Sequence, residues 1–229
     1  GWRWSFAIIA VFQLVVTAGL IASTRNAAPS HQTGGATAEL RVFTRGPVLW
    51  AIGLTALSQA ALFVVFTYIA PYLTEHAAIS ASTVTVALFV FGMGSVVGKQ
   101  LGGYFADKAL DRTLYVALSA LAFALVVLFV FGNMPWFAFA WMFVLGATGF
   151  SIIPPLASKL IGAASDAPQL AATVNIAGFQ LANAAGAWIG SVALSSGTAV
   201  GVLPAIGAVL ATAAVFLLFV SRRSASVKV

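Results

Sequence analysis

Seven mostly apolar stretches alternate with polar connections along the chain: Trp4 to Ile21, Pro47 to Leu73, Ser82 to Tyr104, Thr113 to Phe131, Pro135 to Leu156, Leu170 to Val192 and Val202 to Val220. Each is long enough to cross a bilayer core as a helix. Hydrocarbon offers no water to bond backbone groups, so each stretch must satisfy its own, which a helix does. The period-two alternation of a barrel strand is absent. The pattern therefore predicts an all-α polytopic membrane protein with seven transmembrane helices. Connections such as Gly132-Asn133-Met134 are short and make sequential helices antiparallel neighbours. The long exception, Ala22 to Gly46, is rich in Ser, Thr, Ala and Gly and reads as a linker. The expected organisation is one unit's last helix at 1–22, an inter-unit linker at 23–46, and a six-helix bundle with a short tail at 47–229. A chain that opens with Gly directly at a helix reads as a fragment of something longer.

Local punctuation refines these helices. Pro47 and Pro135 stand at helix starts, where a missing N–H is harmless. Pro154 and Pro155 fall inside the fifth stretch, where the backbone should bend or stop. Gly94, Gly98, Gly102 and Ala106 recur every four residues, lining one face of the third helix with backbone that a neighbour can approach closely.

Composition changes the picture only by confirming the solvent. With 61% hydrophobic and 7% charged residues and a mean hydropathy of +1.04, polar surface is too scarce to cover a soluble domain. The charge of +6 would suggest nucleic acid in a soluble protein, but here it follows topology. If the N-terminus is outside, Arg25, Arg41, Arg45, Lys99, Lys108, Arg112, Lys159, Arg222, Arg223 and Lys228 collect on the inner side, ten of eleven bases, leaving Arg3 outside. The positive-inside bias assigns that side to the cytoplasm of the plasma (inner) membrane and the C-terminus with it. Reading Trp4 to Ile21 as a cleaved signal would export Arg25, Arg41 and Arg45 against the same bias. The chain has no cysteine, so thiolate catalysis, disulfides and Cys-based metal sites are excluded. No mid-membrane acid pair or His cluster suggests an enzyme, a metal or a cofactor.

Polar residues inside the stretches carry the candidate chemistry. Gln59, Phe63 and Phe66 share one face of the second helix, and an amide beside aromatics suits an amphipathic organic solute. Asn175, Phe179, Asn183, Gly186 and Gly190 fall within an arc of about 80° on the sixth. Such amides turn inward, toward another helix or a watery cavity. Glu75 and His76 close the second helix at its outer end as solvated residues, and Trp136 reads as an interface anchor. Asp107 stands at an inner helix end near Lys108 and Arg112, where a charge-assisted network between helix ends can form.

The run Gly103-Tyr104-Phe105-Ala106-Asp107-Lys108-Ala109-Leu110-Asp111-Arg112 resembles the cytoplasmic loop motif of the major facilitator superfamily, in its second-half copy between helices eight and nine. Gly103, Asp107, Lys108 and Arg112 match, while Leu110 replaces the family's Gly. The opening Gly1-Trp2-Arg3-Trp4-Ser5-Phe6 is similar to the entry into helix six of the drug and sugar efflux branch. Asn175 to Gly190 is similar to its helix eleven, with Gln180-Leu181-Ala182 in place of Asn-Leu-Gly. That branch comprises twelve-helix proton antiporters, including arabinose efflux permeases and chloramphenicol-resistance proteins.

The resemblance implies that the last six helices form the C-terminal half-bundle of a transporter, covering family helices six to twelve with residues 1–22. Its partners are the N-terminal half of the same protein, the lipid bilayer and a small-molecule substrate, with no nucleic acid. It implies proton-coupled efflux of neutral or amphipathic solutes such as drugs or sugars by alternating access, with the proton-coupling acids in the other half. Gly103, Asp107, Lys108 and Arg112 become a cytoplasmic gate, and Gln59, Phe63, Phe66, Asn175, Phe179 and Asn183 substrate-binding residues. The alternative is a seven-helix receptor or another non-transporting membrane protein. A retinal photoreceptor is disfavoured by the absence of Lys from Val202 to Val220.

The charge split makes a direct prediction. A reporter fused after Val229 should read as cytoplasmic, and one placed between Leu73 and Ser82 as external; the reverse pattern would overturn the orientation.

Overall fold

The computed structural model describes residues 2–24, 45–165 and 168–226. They belong to two compact units, Gly1–Gly35 and Ala36–Val229, each described by itself. In the first, α1 (Trp2–Thr24) is a continuous helix of 23 residues, about 35 Å long at the standard rise. Two of its hydroxyls bond within the helix: Thr17 Oγ1 donates to the Gln13 carbonyl and Ser23 Oγ to that of Leu20. Residues 25–44 of the expected linker, including Arg25 and Arg41, lie outside the described residues. So do Lys228 and the side chains of Arg3 and Arg222.

Among its described residues the second unit is built of helices joined by short turns, with no strand. It comprises α2 (Gly46–Phe66), a turn at Ile69–Pro71 leading into a π-helical turn at Tyr72–His76, α3 (Ala81–Phe131), α4 (Pro135–Ser151), α5 (Ile153–Ala163), α6 (Pro168–Ser195), a 3-10 turn at Val200–Val202 and α7 (Leu203–Ser226). Five stretches are long and apolar enough to cross a membrane: Phe6–Ser23, Gly46–Phe66, Ala81–Phe131, Pro135–Ala163 and Val200–Ser221. The third contains two of the expected crossings. As one straight helix, its 51 residues would run about 76 Å, more than twice a bilayer core. Ala109, at φ −157° and ψ 77°, breaks it into 81–108 and 110–131. This turn is made by one extended residue and needs no left-handed backbone, so Leu110 stands comfortably where the loop motif has Gly. The remaining crossing is α6, whose Asn175, Gln180 and Asn183 dilute its apolar character.

Proline effects account for two other breaks. At Pro154-Pro155, α4 stops at Ser151 and α5 begins at Ile153, as the sequence led one to expect. The stretch Pro47 to Leu73, read as one helix, is instead interrupted at Thr67–Tyr68. Pro71 has no N–H to offer the Thr67 carbonyl, so the ladder gives way one turn before it. The chain then resumes with Tyr72 N–H donating to the Tyr68 carbonyl at 2.9 Å.

The tightest seam joins α3 to α4. A Cβ added to Gly94, Gly98 or Gly102 would strike the backbone of Phe143, Ala147 or Ser151 respectively, and one on Gly146 the backbone of Phe91. Both helices advance four residues from each contact to the next, so 81–108 and α4 run parallel. Trp141 Nε1 reaches past the seam to the Ala124 carbonyl at 2.9 Å, which places 110–131 returning alongside. Tyr72 Oη donates to the Leu128 carbonyl at 2.9 Å, and Tyr68 Oη to that of Ala187 at 3.0 Å. Leu114, Leu118, Leu121, Leu125 and Leu128 are fully buried and form the apolar spine with Leu54, Leu62, Met142 and Leu145.

The seam predicts opposite outcomes for two alanines in one helix. Gly98→Ala must displace α4 backbone and should cost about 1–3 kcal/mol. Gly92→Ala meets nothing within 4 Å and should be neutral or stabilising by about 0.5–1 kcal/mol. Thermal unfolding in detergent reads both, and equal effects would remove the seam from the stability argument.

Candidate functional site

Two kinds of polar side chain lie within these spans, and they differ in how they are satisfied. Hydroxyls bond back to their own helix: Thr55 to the Ala51 carbonyl, Ser58 to Thr55, Ser95 to Gly92 and Thr148 to Val144. Amides are too long and carry too many polar atoms to do the same. Gln59 Nε2, Asn175 Oδ1 and Asn183 Oδ1 are buried with no hydrogen-bond partner among the described residues. An unpaired buried polar atom costs about 1–3 kcal/mol, which sets these three apart from the hydroxyls around them.

Their positions follow from how α2 meets α6. Gly186 lies against Ala60 and Phe63, and Gly190 against Val64 and Tyr68, so these two helices also run parallel. The predicted arc of α6 is therefore the side that faces α2. Asn183 stands one turn before Gly186, about 4.5 Å along the axis, at the level of Gln59. Its Nδ2 donates to Gln180 Oε1 at 3.1 Å within its own helix. Asn175 lies two turns further along, while Phe179 is half-buried against the core. On α2, Ala60 and Val64 face α6 whereas Leu62 touches Gly149 of α4. The stripe of Gln59, Phe63 and Phe66 consequently looks into the angle between α6 and α4. Gln59 is 2% exposed.

Aromatic rings bridge that angle. Phe63 meets Phe66 edge-on at 5.5 Å, Phe66 stacks on Phe91 of α3 at 4.6 Å, and Phe91 meets Phe150 of α4 edge-on at 5.8 Å. The sequence identified Phe63 and Phe66 but not Phe91 or Phe150, whose share in the cluster depends on which helices become neighbours. His76 also acquires a packing role, with its ring 5.1 Å from that of Tyr72 and against Gly201.

The loop motif straddles the break at Ala109. Gly103 approaches Pro154, whose Cβ would lie 3.9 Å from an added Cβ. Asp107, Lys108 and Arg112 are exposed, and Lys108 lies 4.0 Å over the Tyr104 ring rather than joining Asp107. The ion pair at this end is Asp111 with Lys159 of α5, at 2.9 Å and partly exposed. Sequence reasoning passed over Asp111. Its signal was present in Lys159, a base set on the helix that follows the Pro154-Pro155 break. A cavity of about 650 Å³ opens beside the motif, lined largely by apolar and small residues including Leu101, Phe105 and Val116, with Lys108 and Arg112 at its edge. It contains none of the three amides. Among the described residues no three His, Asp or Glu side chains gather as metal ligands.

Comparison with known proteins gives the family. The family model for the Major Facilitator Superfamily matches residues 1–163 and 52–229. The chain belongs to this superfamily. It is 35% identical to the inner membrane transport protein YdhP of Escherichia coli K12 over 97% of its own length and 57% of that protein's. It is 31% identical to a chloramphenicol resistance protein of Streptomyces lividans, over 93% of this chain and 55% of the relative. A protein named "Probable sugar efflux transporter" from Mannheimia succiniciproducens is 28% identical over 83% and 48%. The chain thus spans about half the length of the curated relatives it matches.

The unpaired amide gives a signed prediction. Gln59→Leu removes a buried donor and fills the same volume with carbon, so detergent thermal stability should rise, by about 1–2 kcal/mol. A fall would make Gln59 a helix-packing residue.

Proposed function

We propose that this chain is the C-terminal half of a proton-coupled efflux transporter that moves small neutral or amphipathic organic solutes, drugs or sugars, across the inner membrane by alternating access. The N-terminal half of the same protein supplies the facing wall and the proton-coupling acids. The observation that carries this reading is the set of unpartnered amide atoms on α2 and α6 beside a ring cluster. Gln59 Nε2 lacks an acceptor while Asn183 Oδ1 lacks a donor, and at neighbouring levels they do not bond each other. A solute with both donors and acceptors satisfies them, and the rings of Phe63 and Phe66 take its apolar surface.

The names of the relatives, which include chloramphenicol resistance and sugar efflux, support that solute class. Asp107, Lys108 and Arg112, with the Asp111–Lys159 pair, act as the gate. They lie where α3 breaks, so changes in their pairing accompany a change in helix-end geometry. The reading includes no catalytic step, cofactor or metal.

Transport by the intact protein in everted vesicles tests this. Gln59→Leu and Asn183→Leu should each shift apparent affinity for some solutes about 3–10-fold, as loss of one hydrogen bond does. Asp107→Asn should slow turnover with insertion preserved, and collapsing the pH gradient should stop efflux. An unchanged solute profile in both amide variants would remove the amides from the binding site.

A further inference from the structure

Lys99 counts in the sequence among the inner-side bases, and in the structure it stands within a long helix rather than at its end. It stands on the first half of α3, about 15 Å before the break at Ala109 and about 27 Å from the opposite helix end. A lysine at this depth ordinarily snorkels along its own helix toward water. Lys99 is exposed and leans that way only as far as the neighbouring helix: its Nζ lies 5.2 Å above the Phe150 ring centroid, beside the glycine seam. Among the described residues the ammonium faces that ring and no carboxylate, for Glu75, Asp107 and Asp111 stand at helix ends and Asp111 holds Lys159.

The same layer contains the unpaired donor of Gln59. Leu62 packs on Gly149, the residue before Phe150, and Gln59 is about 4.5 Å further along α2 toward the Lys159 end. Phe150 therefore stands between the level of Lys99, which the seam sets opposite Thr148, and that of Gln59, about 3 Å to either side, and the rings of Phe66 and Phe91 join them. Lys99 Nζ and Gln59 Nε2 are both donors, one of them charged, and the unpaired acceptor at the Gln59 level, Asn183 Oδ1, is neutral. What this level lacks is an acceptor with negative charge. A carboxylate offers acceptors only, in a charge-assisted bond to Nζ, and an aromatic body attached to it matches the rings.

We propose that Lys99, Gln59 and the Phe66–Phe91–Phe150 rings form a subsite for an aromatic carboxylate, so that the solutes carried include organic anions. This rests on the transporter reading above and fixes the charge of one substrate class. Gln59 orients one carboxylate oxygen, Lys99 neutralises the group within the span, and the rings hold the hydrocarbon part.

The test uses the intact protein in nanodiscs, with phenylacetate, its neutral isostere phenylacetamide and the cation phenethylamine as competing probes. Wild type should bind phenylacetate at least about 10-fold more tightly than phenylacetamide, and phenethylamine least, as one charge-assisted bond requires. Lys99→Met should abolish that preference, and Lys99→Arg should retain it. Equal wild-type affinity for the acid and the amide, or a preference that survives Lys99→Met, overturns the proposal. A parallel efflux assay with chloramphenicol separates the two readings. Active efflux without acid preference sinks the anion subsite alone, whereas loss of both binding and efflux sinks the transporter reading with it.

Discussion

A polar atom inside a bilayer has no water to turn to, and most of this structure follows from how each such atom is settled. The backbone satisfies itself as helix. Hydroxyls of Thr55, Ser58 and Thr148 fold back on carbonyls one turn earlier. Aromatic donors take carbonyls of other helices, Tyr68 from α6, Tyr72 and Trp141 from the second half of α3. Against so complete an accounting, the amide atoms of Gln59, Asn175 and Asn183 stand out because they alone among the buried side chains described here go unpaired. Function is read from the remainder.

Close approach and open space are divided accordingly. Where glycines line the surfaces, α3 and α4 touch through backbone, and the cavity beside the loop motif opens along the Gly98 and Gly102 end of that seam. Where Phe66 and Phe91 stand, α2 and α3 meet through ring faces. Rings can part and restack at modest cost, whereas a backbone contact has nowhere to retreat. One side of the bundle is thus held by backbone and the other by ring faces.

Much of this was legible in the sequence because the signals were local. Hydrophobic length marked the crossings, the four-residue glycine spacing marked the seam, and Pro154-Pro155 marked the α4–α5 break. Pro71 carried the same kind of signal and was overlooked near a helix end. The partners of the candidate site were a different matter. Phe91 and Phe150 gain meaning only when α3 and α4 come together beside α2, and Asp111 only when Lys159 is brought to it. Lys99 was hidden by its sign: among bases that obey the positive-inside bias, one lying several residues deeper looks like another loop charge until its neighbour is seen to be Phe150.

The turn at Ala109 is a single extended residue between two long helices. A joint this short has no slack, so the helices on either side cannot slide past one another along their axes as helices on a longer loop can. They can only swing. The Asp111–Lys159 pair sits two residues beyond this pivot, where a swing displaces atoms least, while Gly132 and the Tyr72 end lie a full membrane width away, where the same angle displaces them most. An ion pair at the pivot ties the start of 110–131 to α5, and helix length converts any small change of angle there into a larger displacement near Gly132.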